Sequence, residues 1–305
     1  MAELHRITLG RIIWIEGDAN PNGVVSAPKG SCFVDKENVK LYTNQNGATL
    51  WSEVTGYQNL KSITFNGTSQ YLNIGDVSSA RFERTDTFTL SVWFKTTTIG
   101  GPMQLISKRE QQTGSPYYYR GYGIVLVDNL TPDEFRIDLC NNTSPVNNIG
   151  ISYQTSDGIF TDGNWHHLAM TYDGSSQASG VQFYLDGAVQ TGVVTENNLT
   201  GTIQTSSPLL FGARGDPSVN VAKYWNGGLD EGSIWNKNLS QAEITEIYSA
   251  GTPTSLTNHS AAAYLVGWWK MGDGDSYPTI TDSSVNNNSA TMVNMSTANI
   301  VSDTP

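Results

Sequence analysis

A chain of 305 residues with 38% hydrophobic, 10% aromatic and only 15% charged residues is long enough for a large core and too aromatic to be disordered. Its net charge of −11 at pH 7 excludes partners tracked through their phosphates, both nucleic acid and anionic membrane surfaces. No apolar run approaches the roughly 18 residues of a membrane-spanning helix, and Cys32 and Cys140 lack any zinc spacing and read as ordinary buried thiols.

Residues 1–30 are poorly patterned. With Pro21, Gly23, Pro28 and Gly30 they read as an extended arm or loop. The opening MAELHRITLGRIIWIEG has neither the apolar core nor the cleavage site of a signal peptide, so export by the Sec route is not expected. Three short alternating runs follow at 32–35, 39–43 and 50–54, a small β-meander that is marginal without a partner surface. From Ser62 the strand-like runs become dense: SITFNGTSQYLNIG, TFTLSVWFKTT, MQLISKR, YGIVLVD, EFRIDLC, GISYQTS, WHHLAMTYD, VQFYLDGAVQ and LLFGAR. Asn, Gly, Asp and Ser clusters punctuate them, with no interleaved helices. That pattern predicts an all-β antiparallel jelly-roll sandwich. One helix interrupts it at NLSQAEITEIYSAG. Ser240 is its N-cap with Glu243 three residues on, Leu239 staples to Ile244, and Gly251 closes it. Residues 252–305 read as further strands that complete or flank the sandwich.

In order along the chain, FNGTSQYLNIG, FTLSVWFKT, DGNWHHLAMTYDGS, VQFYLDGAVQ, LLFGAR and WNGGLDEGSIWNKNLSQAEITEIYSAG resemble laminin-G-like, concanavalin-A-like jelly-roll domains over about residues 61–251. The meander APKGSCFVDKENVKLYTNQNGATLW resembles modules of bacteriophage tail and fibre proteins. The resemblances imply three segments: an attachment region at 1–60, the jelly roll at 61–251 and the closing strands at 252–305. They imply a non-enzymatic virion structural protein, a capsid decoration or tail component. It would be bound to other virion proteins through its N-terminal region, exposed on the particle as a homo-oligomer, and able to meet a glycan or host surface. A secreted carbohydrate-binding lectin is the alternative, with a glycoside hydrolase third. Some members of the resembled family hold Ca²⁺ at one end of the sandwich. The matching positions here are Asp76 and Asp230, which makes Ca²⁺ the one cofactor the resemblance admits.

The residues themselves offer several candidate sites. His166 and His167 are adjacent on a strand, so their side chains point to opposite faces and cannot share a metal. His166, Leu168, Met170 and Tyr172 form the better core face. Glu134, Arg136 and Asp138 share one face of EFRIDL, but the central Arg136 should ion-pair rather than catalyse, which counts against a paired-carboxylate glycosidase. Asp273, Asp275 and Asp282 lack the EF-hand pattern and read as a solvated turn. Arg214-Gly215-Asp216 reads as a chance RGD. No Ser-His-Asp order or phosphate loop appears. The aromatic stretch GSPYYYRGYG, read as a loop, is the strongest binding candidate. Tyr117, Tyr118, Tyr119, Arg120 and Tyr122 are residue types favoured at binding surfaces, for a sugar or for a neighbouring subunit.

Overall fold

The strand-like runs of the sequence become strands of three sheets in the computed structural model. It describes residues 5–9, 12–17, 21, 25–29, 31–35, 40–47, 51–53, 57–98, 101–112, 118–127, 134–141, 148–154, 159–215 and 222–305. The chain divides into two units, Met1–Gln58 and Asn59–Pro305.

In the first unit, the five strands His5–Leu9, Ile12–Gly17, Cys32–Asp35, Lys40–Asn44 and Trp51–Glu53 follow one another across a single sheet. The last three are the expected meander. The first two replace the expected arm: they form an antiparallel hairpin with Leu9 opposite Ile12. Only Gly10 and Arg11 separate these strands in sequence, a two-residue hairpin spacing, and RIIWI is rich in strand-forming residues. Ile12–Gly17 then runs parallel to Cys32–Asp35, with a connection long enough for a parallel crossover. Ile15, Val25, Ala27, Phe33 and Tyr42 form the small core of this unit. The Phe33 and Tyr42 rings meet edge to face at 6.3 Å.

The second unit is a two-layer sandwich. The order across the nine-stranded sheet is Val193–Asn197, Asn148–Gln154, Glu134–Asn141, Tyr118–Val127, Met103–Gln112, Leu209–Phe211, Tyr71–Gly75, Ala290–Val293 and Thr279–Ile280. The eight-stranded sheet runs Ala188–Gln190, Val181–Leu185, His166–Tyr172, Phe88–Lys95, Asn226–Trp235, Ser62–Asn66 and Ile300–Val301. Leu265–Trp269 also pairs with Asn226–Trp235. The C-terminal segment therefore supplies strands to both layers. Alternation sends one set of side chains inward, where Phe94 of one sheet meets Phe135 of the other at 5.0 Å and Phe88 meets Tyr122 at 5.2 Å. This is the jelly-roll sandwich that the sequence pattern predicts.

The helix Gln241–Tyr248 has the expected capping box between Ser240 and Glu243, and Leu239 and Ile244 are buried. Its exit differs. Ser249 and Ala250 already take left-handed conformations before Gly251, so the turn tightens ahead of the glycine. Tyr248 lies over Trp93 and His167 on the outer face of the eight-stranded sheet, with ring centroids at 5.6 and 6.1 Å. Ser240→Ala should lower stability by about 1 kcal/mol in chemical denaturation, the usual effect of losing an N-cap oxygen.

The two histidines diverge as the strand requires. His166 Nδ1 is 2.8 Å from Asp186 and its Nε2 3.3 Å from Asp162. His167 is fully buried on the other face, with Nε2 2.7 Å from the Ser91 hydroxyl. Burial pushes the His167 pKa down to about 4. The Asp186 hydrogen bond, opposed by burial, raises that of His166. A depressed histidine leaves stability complete above its unfolded value near 6.5 and removes it as pH falls toward 4, by about 3 kcal/mol over that interval. His166 acts in the opposite sense: its contribution is complete below pH 6.5 and is lost as pH rises through its raised value. His167→Gln should therefore flatten the acid limb of the stability–pH curve between pH 6.5 and 4, measured by urea unfolding.

Candidate functional site

The candidate site lies on the outer face of the nine-stranded sheet, where three neighbouring strands turn polar. Arg109 stands opposite Gly121, and Gly121 opposite Cys140. One step along, Gly123 stands between Ser107 and Asp138. The middle strand thus has no side chains at two outward positions, and the Arg109 side chain crosses it. Its Nη1 donates to Asp138 Oδ2 at 2.6 Å and its Nη2 reaches Cys140 Sγ at 3.2 Å. A side chain at either position would crowd the neighbouring strand, most severely at Gly121. Gly121 has φ +119°, and an added Cβ would lie 1.9 Å from the Lys108 carbonyl oxygen. A Cβ on Gly123 would lie 2.6 Å from Gln104 Nε2.

Tyr119 stands at the head of this glycine track. The guanidinium groups of Arg109 and Arg214 lie over its ring, at 4.9 and 5.2 Å from the centroid. Arg136 Nε is 2.9 Å from Asp138 Oδ1. With Gln104 and Lys223 these residues line a hollow of about 390 Å³, within the size range of small-ligand clefts, roughly 300–1,000 Å³. Arg109 is 4% exposed and Gln104 fully buried. Even so, Arg109 Nε and Gln104 Oε1 have no hydrogen-bond partner among the described residues.

Charge is unevenly shared here. Burial raises the Asp138 carboxyl, but Arg109 and Arg136 outweigh it and hold the pKa below the ordinary carboxylate value. Burial, then repulsion from Arg109, lowers the pKa of Arg214. Burial pushes the Cys140 thiol up to about 12, so it stays protonated. The same outer face continues into a patch of Tyr71, Leu210 and Ala213 with Tyr224 and Val293 against it. A second hollow of about 380 Å³, lined by Asn66, Thr68, Asn226 and Tyr224, shares Pro102 and Lys223 with the first.

Among the described side chains singled out in the aromatic stretch, Tyr119 is the one that lines this hollow. Residues 118–123 belong to the strand Tyr118–Val127 rather than to a loop. Tyr117 lies outside the described residues, and of Tyr118 only the strand backbone is described. Arg120 pairs with Glu110 at 3.2 Å and lines a separate polar hollow with Arg81 and Thr202. Tyr122 is a correction: strand parity turns it inward with Ile124 and Leu126, and its hydroxyl donates to the Ala80 carbonyl at 2.8 Å. Burial raises its pKa far above the ordinary phenol value.

Asp76 and Asp230 are not brought together. Asp76 follows a strand of the nine-stranded sheet and binds Arg81 and the buried Lys108, the latter at 2.8 Å. Burial raises the Asp76 carboxyl, but those two cations outweigh it and lower its pKa. Asp230 is buried in the eight-stranded sheet, where its Oδ2 accepts from Asn59 Nδ2 at 2.9 Å. Burial and then the neighbouring Glu231 raise its pKa well above the ordinary value. Among the described residues no group of three or more His, Cys, Asp or Glu is placed to hold a metal ion. Arg214, met in sequence as part of an RGD, instead packs on Tyr119. Asp216 lies outside the described residues.

No curated protein matches the chain. Among solved structures, a Bacteroides ovatus ATCC 8483 protein described as "a putative carbohydrate binding protein" is similar at 13% identity. The match covers 90% of this chain and 70% of that one, with a TM-score of 0.53. A heptameric SAP-like pentraxin from Limulus polyphemus is similar at 14% identity over 66% of this chain and 90% of that one, TM-score 0.44. The CBM40 of a Ruminococcus gnavus IT-sialidase is similar at 15% identity over 63% of this chain and 99% of that one, TM-score 0.43. At such identities these likenesses speak for the fold alone. A laminin-G-type family model matches residues 66–245, more than half of the chain. With the two-layer antiparallel sandwich already in view, that match places the chain in the concanavalin A-like lectin/glucanases superfamily.

Proposed function

We propose that this chain is a carbohydrate-binding protein of lectin type, without hydrolytic activity, and that it holds its ligand in the hollow around Tyr119. The observation that carries the reading is the built character of the hollow. A half-exposed aromatic ring is held in place by the guanidinium groups of Arg109 and Arg214, and buried Arg109 and Gln104 keep polar atoms in its lining that have no partner among the described residues. Aromatic rings bind the apolar faces of sugars, and planar polar groups bind their oxygens.

The carboxylates of this face support binding rather than cleavage. A retaining glycosidase needs one carboxyl kept protonated near neutral pH beside a second at about 5–5.5 Å. Asp138 is instead held ionised between two arginines. The carboxyls whose pKa values are raised on balance, through burial, are Asp230 and Asp273, and they do not line this hollow: Asp230 is buried in the other sheet and Asp273 accepts from the Leu60 N–H. The virion reading rested on the N-terminal meander and the opening sequence, and neither the family match nor the structural neighbours support it. The family match favours the lectin reading.

Tyr119→Ala should lower affinity for any glycan bound here at least about tenfold, the scale of a binding hot spot, while leaving the melting temperature nearly unchanged. A glycan array followed by calorimetric titration checks this. Glycan binding that is indifferent to Tyr119→Ala would move the site elsewhere. Release of reducing ends from a bound oligosaccharide would overturn the non-hydrolytic reading.

A further inference from the structure

We infer that the ligand is an acidic oligosaccharide: a sugar bearing a carboxylate or sulfate faces Arg214 and Lys223, and a neutral sugar joined to it occupies the adjoining amide-lined hollow. The inference rests on the carbohydrate reading above and deepens it.

The first support is the local charge. Among the described residues, the lining of the first hollow holds Arg109, Arg136, Arg214 and Lys223 against one carboxylate, Asp138. This cationic concentration sits in a chain whose net charge is −11. Glu134 lies on the same strand face but outside the lining. Arg109 and Arg136 both use Asp138. Arg214 and Lys223 have no carboxylate within ion-pairing distance among the described residues. A buried or half-buried cation without a counter-ion is unfavourable, and an anionic ligand supplies one.

The second support is the donor geometry. Arg109 Nε is buried in the lining and has no partner among the described residues. Guanidinium groups present parallel N–H donors that match the oxygens of a carboxylate or a sulfate. The packing of Arg109 and Arg214 on Tyr119 fixes the position of both groups, so little side-chain freedom is lost when an anion binds.

The third support is the second hollow. It shares Pro102 and Lys223 with the first, and its other side chains are uncharged: Asn66, Thr68, Asn226 and Tyr224 among them. Amides, a hydroxyl and a phenol suit the hydroxyls of a neutral sugar. The order of the two hollows along the face sets the order of the two sugars.

The test is calorimetric titration of the full chain with four probes: a uronic-acid-containing disaccharide, its carboxyl-reduced neutral form, an O-sulfated disaccharide and the uronic acid alone. An acidic disaccharide should bind at least about tenfold more tightly than the reduced form, as expected for charge-assisted hydrogen bonds. Arg214→Gln should abolish that preference without shifting the melting temperature, and Tyr224→Ala should lower the disaccharide to the affinity of the single sugar. Preference for the uronate alone assigns a carboxylate, and preference for the sulfated probe alone assigns a sulfate. Equal binding of neutral and acidic disaccharides, unaffected by Arg214→Gln, overturns the inference and leaves the carbohydrate reading standing. If no glycan in these probes or on a broad array binds, the carbohydrate reading falls and the inference falls with it.

Discussion

Asp138→Ala is expected to destabilise the protein by about 3–5 kcal/mol, the scale on which breaking a buried ion pair leaves a charge without compensation. Arg109 is 4% exposed, its Nη1 is 2.6 Å from Asp138, and its Nη2 donates to a thiol that stays protonated and so supplies no counter-charge. Removing Asp138 strands that guanidinium under the sheet's outer layer and frees Arg136, which is more exposed and able to reach water. The pH dependence has a definite sign. The Asp138 pKa is lowered on folding, so its contribution is present above the unfolded carboxylate value and is lost as pH falls through the folded one. Urea unfolding of the wild type and of Asp138→Ala measures the loss. The double variant Asp138→Ala/Arg109→Leu should recover most of it, because the stranded charge is gone. No recovery would mean that Asp138 acts through something other than Arg109.

Gly121→Ala is the second large effect. The new Cβ would sit 1.9 Å from the Lys108 carbonyl oxygen and 2.9 Å from Arg109 Cα, both backbone atoms that cannot move without separating the strands. The backbone is also at φ +119°, a region that side-chain-bearing residues rarely adopt. Together these should remove about 3 kcal/mol. Gly75→Ala is the control: its φ is +84° but nothing lies within 4 Å of the added Cβ, so only a conformational loss of about 1 kcal/mol is expected. Comparable losses at the two positions, read from denaturation midpoints, would show that the close approach at Gly121 is not what matters.

Local signals were legible. Ser240 and Glu243 specify their helix within four residues, and the alternation in WHHLAMTYD separates His166 from His167 with no need of a neighbour. The hollow was not legible, because it exists only through register. Arg109, Gly121 and Cys140 are spread over 32 positions of sequence and meet because three strands pair at one level. Nothing local in YYYRGYG states which strands flank it. Tyr122 is different: its alternation with Ile124 and Leu126 was present in the sequence, and reading the stretch as a loop hid it. The hairpin His5–Leu9 to Ile12–Gly17 was likewise hidden by the Pro- and Gly-rich segment after it, although a two-residue connection was already visible.

The most direct test of the central claim is a crystal structure of the full chain with a glycan selected on an array. The sugar is expected on the outer face of the nine-stranded sheet, within hydrogen-bond distance of Arg214 and in contact with the Tyr119 ring. A sugar bound at the eight-stranded sheet, or at the sandwich end around Asp76, would contradict it.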